Sequence, residues 1–212
     1  MCGRFANHVE AMYEWLDILK GWPADIPTGF NVAPTQIIPA VQTQGSFPMR
    51  WGLVPSWSKE ASPKYATFNA RLESVSGKPA FRNAWRHSQT CLIPALGYYE
   101  WRTELGAKQP YFVHTAEDRG LLVFAGLWEL REGQYSCTIL TRESAGTLAQ
   151  LHGRMPVMLS PEDARCWLIE GTSMADQLEA SEVHLNVQFH AVDRAVCNPR
   201  SHGEELIRPI RD

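Results

Sequence analysis

Apolar residues recur with a helical period in three stretches of this chain and in short, strand-like runs over most of the rest. Asn7 can cap a first helix, with Glu10 three residues on and an apolar stripe of Val9, Met12, Tyr13, Leu16 and Leu19. Gly21 ends it and Pro23 prevents resumption. A second, short helix is predicted from Pro79, with Phe81 and Trp85 on one face and Arg82 and Arg86 on another. A third takes Ser160 as cap and Pro161 as first residue, and runs through Ala164, Trp167 and Leu168 toward Gly171. Between these lie runs bounded by Gly and Pro: IIPAVQT, MRWGLV, CLIPAL, PYFVHT, LLVFAGLWEL, YSCTIL, MPVML and VQFHAV. Strands are numerous, and helices are few and irregularly placed. The pattern predicts an α+β domain, mostly antiparallel, rather than a βαβ sheet. The expected form is a partly closed, barrel-like sheet with a few peripheral helices.

Length and composition narrow this picture. At 212 residues, 44% hydrophobic and 20% charged, the chain can bury a real core, and one domain over 1–212 is expected. No apolar run approaches the roughly 20 residues of a membrane span. The start, MCGRFANHVE, lacks the basic-then-apolar order of a secretion signal, so a cytoplasmic protein is expected. The net charge of −3 speaks weakly against nucleic acid, but its distribution is uneven. Arg50 to His87 carries +5 and Ser160 to Asp212 carries −5. A local positive face is compatible with an acidic whole, as is an ordinary solvated surface.

The five cysteines, Cys2, Cys91, Cys137, Cys166 and Cys197, contain no C-x-x-C, so no zinc site or redox pair is indicated. Cys91 and Cys137 sit in apolar runs and read as buried thiols. Cys2 is different, because Met before a small residue is usually removed. The new terminus then carries an amine and a thiol on adjacent carbons, both partly nucleophilic near neutrality. Such a pair condenses with an aldehyde to an imine, and the thiol closes a five-membered thiazolidine. The plain alternative is a start-adjacent Cys of no importance. Gly3 allows close backbone approach beside it, and Arg4 suits a phosphate. Glu100, among Tyr98, Tyr99 and Trp101, is a candidate acid or an outward-facing strand glutamate. His152 is a candidate proton shuttle or a structural histidine, and Asn69 a donor and acceptor or a turn residue.

The motifs MCGRF, NVAP (Asn31 to Pro34), WGLVPSW (Trp51 to Trp57), NARLES (Asn69 to Ser74), CLIPALGYYEW (Cys91 to Trp101), FAGLWE (Phe124 to Glu129), TILTRES (Thr138 to Ser144) and HGRMPV (His152 to Val157) follow one another along the chain. In kind and order they resemble the SOS response-associated peptidase (SRAP) family, the abasic-site processing proteins. The C-terminal quarter resembles it least, apart from the LIRPI ending. The resemblance implies the fold of that family and a partner, single-stranded DNA containing abasic sites, with no cofactor, no metal and a monomeric state. If the protein is bacterial, it would be nucleoid-associated. The resemblance further implies that Cys2, after self-removal of Met1, forms a thiazolidine with the opened deoxyribose. Asn69 would hold the terminal amine and the sugar, Glu100 would act as acid and base, and His152 would stabilise the opened sugar's oxygen. Arg4, Arg71, Arg82 and Arg154 are the candidate phosphate contacts, and Trp57 and Trp101 the candidate stacking platforms.

Two other functions fit parts of the sequence. An N-terminal-nucleophile amidohydrolase also matures to a terminal Cys-Gly, with the amine as base for the thiol. This chain has no Asn-Gly pair for the oxyanion hole of those enzymes. A non-covalent single-stranded DNA-binding module needs the arginines and tryptophans but not Cys2. A zinc deaminase is excluded, because His202-Gly203-Glu204 has no C-x-x-C after it.

Overall fold

A computed structural model describes residues 2–7, 27–60, 65–116, 120–180 and 186–210. The first helix expected from the sequence lies outside the described residues. The described strands are β1 (Phe5–Asn7), β2 (Gly29–Val32), β3 (Ile37–Gln42), β4 (Gly45–Trp51), β5 (Asn69–Arg71), β6 (Thr90–Ala95), β7 (Gly97–Glu104), β8 (Ala107–Thr115), β9 (Leu122–Arg131), β10 (Gln134–Glu143), β11 (Arg154–Pro156) and β12 (Val187–Ala191). The described α-helices are α1 (Arg82–Arg86), α2 (Pro161–Glu170) and α3 (Ala175–Ala180). No helix among the described residues is long and apolar enough to cross a membrane.

Strands β10, β4, β3, β6 and β9 pair in that order, and β9 pairs back onto β10. The sheet therefore closes into a barrel, α+β in class and mostly antiparallel as the sequence predicts. Closure is complete because β4 meets β10 in parallel at Ser136↔Arg50 and Cys137↔Trp51. Beyond the end of β4 the same edge of β10 is taken up by β5, again in parallel, from Ile139↔Asn69 to Thr141↔Arg71. The period-two alternation of each strand sorts its side chains between two clusters. Ile38, Met49, Trp51, Ile93, Phe124 and Ile139 face inward together. Val41, Leu92, Val123, Ala125, Leu127 and Leu140 face outward beneath Trp167 and Leu168 of α2.

Helix α2 forms where predicted. Ser160 Oγ accepts from the Asp163 amide at 3.1 Å, Pro161 opens the helix and Gly171 ends it at φ 64°. Its Trp167 indole donates to the carbonyls of Cys91 and Gly126, tying the helix to β6 and β9. The helix predicted from Pro79 begins regularly only at Arg82. The Phe81 and Arg82 amides both bond back to Lys78 O, so the first turn is spent as a turn.

A second sheet, ordered β12-β8-β7-β1-β2, lies against the barrel. Along β1, Phe5 joins the barrel interior cluster while Ala6 faces away. The Phe5 ring packs edge-on to Trp51 at 4.9 Å and to Phe124 at 6.4 Å. The far face of this sheet, with Tyr99 and Phe112, is covered by Val192, Val196 and Leu206. The two layers trap the chain start between them, and this places Cys2.

Candidate functional site

Cys2 is fully buried and belongs to the apolar cluster inside the barrel. It is held at both ends of its short segment. The Tyr99 amide donates to Arg4 O, and the Asn69 side-chain amide donates to Cys2 O at 2.7 Å. The Cys2 thiol turns back to Arg4 O at 3.8 Å. Burial pushes the thiol well above its ordinary value, and the nearby Glu100 carboxylate pushes it further. Burial raises the Tyr98 hydroxyl as well, with Cys2 and Glu100 adding to the effect.

These positions follow from local structure. Asn69 opens β5, where the backbone is fixed by β10, and alternation sets Asn69 and Arg71 on one face with Ala70 buried behind them. Asn69 Oδ1 is buried and has no hydrogen-bond partner among the described residues. Strand β7 pairs Tyr98 with Phe5, so Glu100, two residues on, shares the face of Tyr98 that looks toward Cys2. Glu100 is buried, and its Oε1 accepts weakly from the Trp101 amide at 3.4 Å.

His152 follows a 3-10 turn over Gly146–Gln150. Its Nδ1 accepts from the Arg154 amide at 2.9 Å, so the proton of the neutral ring resides on Nε2. Leu148, Leu151 and Met155 pack in the same cluster as Cys2 and bring this segment to it. Direct contacts and electrostatic coupling thus join Cys2, Asn69 and Glu100. His152 is brought toward them by the packing of its segment. Among the described residues, no three His, Cys, Asp or Glu side chains group as metal ligands.

The six candidate DNA contacts divide. Arg71, Arg82 and Trp57 are exposed. Arg4 Nη1 donates to Asn31 Oδ1 at 2.7 Å and to Val196 O at 3.0 Å, while its buried Nε has no hydrogen-bond partner among the described residues. Arg154 forms a two-pronged pair with Glu73 at 2.7 and 2.9 Å and also bonds Thr141 O at 2.8 Å. The Trp101 indole donates to Cys197 Sγ at 3.3 Å. Two participants have no function in the sequence reading. Asn31 is a hub, accepting from Arg4 and donating to Asn198 O and Ser201 O. Its place in NVAP was the available signal. Tyr98 closes the wall beside the thiol, and its only sequence signal was its position beside Glu100.

Comparison with known proteins adds a family context. The family model described as SOS response associated peptidase (SRAP) matches residues 1–199. The chain is 33% identical to the abasic site processing protein YoaM of Bacillus subtilis, over 98% of this chain and 97% of that protein. It is 30% identical to the abasic site processing protein HMCES of Pongo abelii, over 99% of this chain and 76% of that one. A solved structure from Bacteroides thetaiotaomicron superposes with a TM-score of 0.81 at 19% identity, covering 99% of this chain and 100% of that one. One from Bordetella bronchiseptica gives 0.79 at 24% identity, over 91% and 100%. At those identities the two structures bear on the fold alone.

Proposed function

We infer that this chain, which belongs to the SOS response-associated peptidase family, captures abasic sites in single-stranded DNA through Cys2 once Met1 has been removed. A role in processing abasic sites in DNA follows from the relatives named for it. The covalent step is our reading. The single observation that carries it is the buried Cys2, its carbonyl held by Asn69 and its thiol beside Glu100.

The chemistry runs as an addition, a dehydration and a ring closure. The freed amine of Cys2 attacks the aldehyde carbon of the opened deoxyribose. The resulting carbinolamine loses water to give an imine. The thiol then adds to the imine carbon, its proton passing by way of Glu100 to the nitrogen. The product is a thiazolidine, and one water is released in all. Asn69 orients the terminal residue, and its unpartnered Oδ1 is an acceptor for the amine. His152 Nε2–H is a donor for the oxygen of the opened sugar. Closing the ring removes the imine, which would otherwise acidify the neighbouring carbon and invite strand breakage.

Intact-protein mass spectrometry after mixing with single-stranded DNA carrying one abasic site tests this. The expected result is an adduct on protein lacking Met1, with loss of one water, absent in Cys2→Ala. No adduct on correctly processed protein overturns the covalent reading.

A further inference from the structure

Once Met1 is gone, Cys2 is the end of the chain. It can be positioned only through its own groups and through the residues that follow it. Asn69 holds its carbonyl at 2.7 Å. Its thiol bonds Arg4 O at 3.8 Å, and the Tyr99 amide fixes the same oxygen at 2.9 Å. Where Arg4 sits therefore sets where the thiol sits. The Arg4 side chain is held at one nitrogen, Nη1, by Asn31 Oδ1 at 2.7 Å and Val196 O at 3.0 Å.

Asn31 reaches Arg4 through strand alternation. Phe5 pairs with Val32 across β1 and β2, and both turn into the barrel cluster. Arg4 and Asn31, each one position away, turn to the opposite face. There Asn31 is buried, and both of its donors are used: Nδ2 bonds Asn198 O at 2.9 Å and Ser201 O at 3.0 Å. Arginine can only donate and a carbonyl can only accept, so this amide has one orientation. We propose that Asn31 is a positioning residue for capture: by tying Arg4 to the C-terminal segment around Asn198 and Ser201, it sets the place of the Cys2 thiol and amine. The proposal rests on the capture reading above. It gives the C-terminal quarter a part in the reaction, although its residues are far in sequence from every candidate catalytic group.

Misplacing a reacting group by about 1 Å costs on the order of a hundredfold in rate. Asn31→Ala removes one of the two holds on Arg4, and capture at saturating single-stranded DNA should slow on the order of tenfold. Asn31→Asp keeps an acceptor for Arg4 but sets a carboxylate against two carbonyls. It should recover the rate to within about threefold of the parent while unfolding at lower urea. A residue that only supports the fold cannot give that reversal of order between rate and stability. The processed full chain is used throughout, and alkylation of each cysteine by iodoacetamide is followed by peptide mass spectrometry. Asn31→Ala should speed alkylation of Cys2 while Cys91 and Cys137 stay as slow as in the parent. Capture by Asn31→Ala within twofold of the parent overturns the proposal. So does equal slowing in both variants, which would make Asn31 a clip for the C-terminal segment alone. If Asn31→Ala does not fold, Asn31→Asp decides by itself: near-parental capture at reduced stability supports the hold through Arg4, and a tenfold loss overturns it. A parent that forms no adduct, with Cys2 alkylation still answering to Asn31→Ala, overturns capture and leaves the placement of Cys2 standing. If neither capture nor alkylation responds, both fall.

Discussion

Removing the Asn69 amide isolates the contact that fixes the chain start. In Asn69→Ala the carbonyl of Cys2, in a residue with no solvent exposure, loses its donor at 2.7 Å. The lost bond contributes about 1 kcal/mol, and leaving a buried acceptor unsatisfied costs about 1–3 kcal/mol. A combined loss of about 2–4 kcal/mol is expected, or roughly 30- to 900-fold if it falls wholly on the rate. Where it falls distinguishes the roles. Rate constants for adduct formation at saturating single-stranded DNA, beside urea unfolding of the same variant, separate them. Orientation of the nucleophile predicts at least a tenfold slower capture at a temperature where the variant is folded. Asn69→Asp should be worse, because it sets an anionic oxygen against a carbonyl oxygen and adds charge beside Glu100. If Asn69→Ala captures within twofold of the parent while its stability drops, Asn69 is only a clip for the fold and the reasoning fails.

Gly97→Ala should destabilise by about 2–3 kcal/mol in thermal unfolding, because its Cβ would lie 2.3 Å from Val113 O and 2.5 Å from a Phe112 ring carbon. Arg71→Ala should reduce the slope of log affinity against log salt by about one, whereas Arg154→Ala, whose guanidinium is already bound to Glu73, should lower the melting temperature instead. Burial raises the thiols of Cys2, Cys91 and Cys137, so above about pH 8.5 the unfolded state sheds protons that the folded state keeps. Stability is then complete below that pH and falls above it, with a slope approaching about 4 kcal/mol per pH unit in urea titrations; a flat profile means the thiols meet water in the native state. Capture rates should rise with pH as the freed amine loses its proton and then level off, without a second rise near about 8.5 from a thiol that ionised like a free one.

Features set by neighbours in sequence were legible, and those set by distant pairing were not. Helix α2 could be read because its cap, its first-turn proline and its apolar stripe all lie within one short stretch. Full closure of the barrel could not, since it depends on residues near 50 and 70 finding one edge of β10 in parallel. Strand β5 spans only Asn69–Arg71, too short to show an alternation. Candidate site residues were legible by chemical type through their motifs, but the Asn69–Cys2 bond spans 67 positions and is a product of the fold. The protein partners of Arg4 were not legible by type either: its Nη1 donates to Asn31 Oδ1 and to the carbonyl of Val196, 192 positions away. The C-terminal quarter, where motifs are sparse, supplies that anchor and covers the far face of the second sheet.

The burial of Cys2 bears on the order of the proposed steps. A thiol raised by burial and by a neighbouring carboxylate is almost wholly protonated near neutrality, and a protonated thiol is a poor nucleophile toward an aldehyde. The amine, once freed, is placed differently: the nearby anion favours its charged form, but when the neutral amine attacks, Glu100 stabilises the positive charge that develops on nitrogen. The amine therefore reacts first, and the thiol waits for a partner more electrophilic than the aldehyde. A protonated imine is that partner. It places a positive charge beside Glu100, and the same carboxylate that held the thiol protonated is then positioned to take its proton. Burial thus keeps the thiol quiet until the intermediate that threatens the strand has formed, and the sulfur then removes it by ring closure.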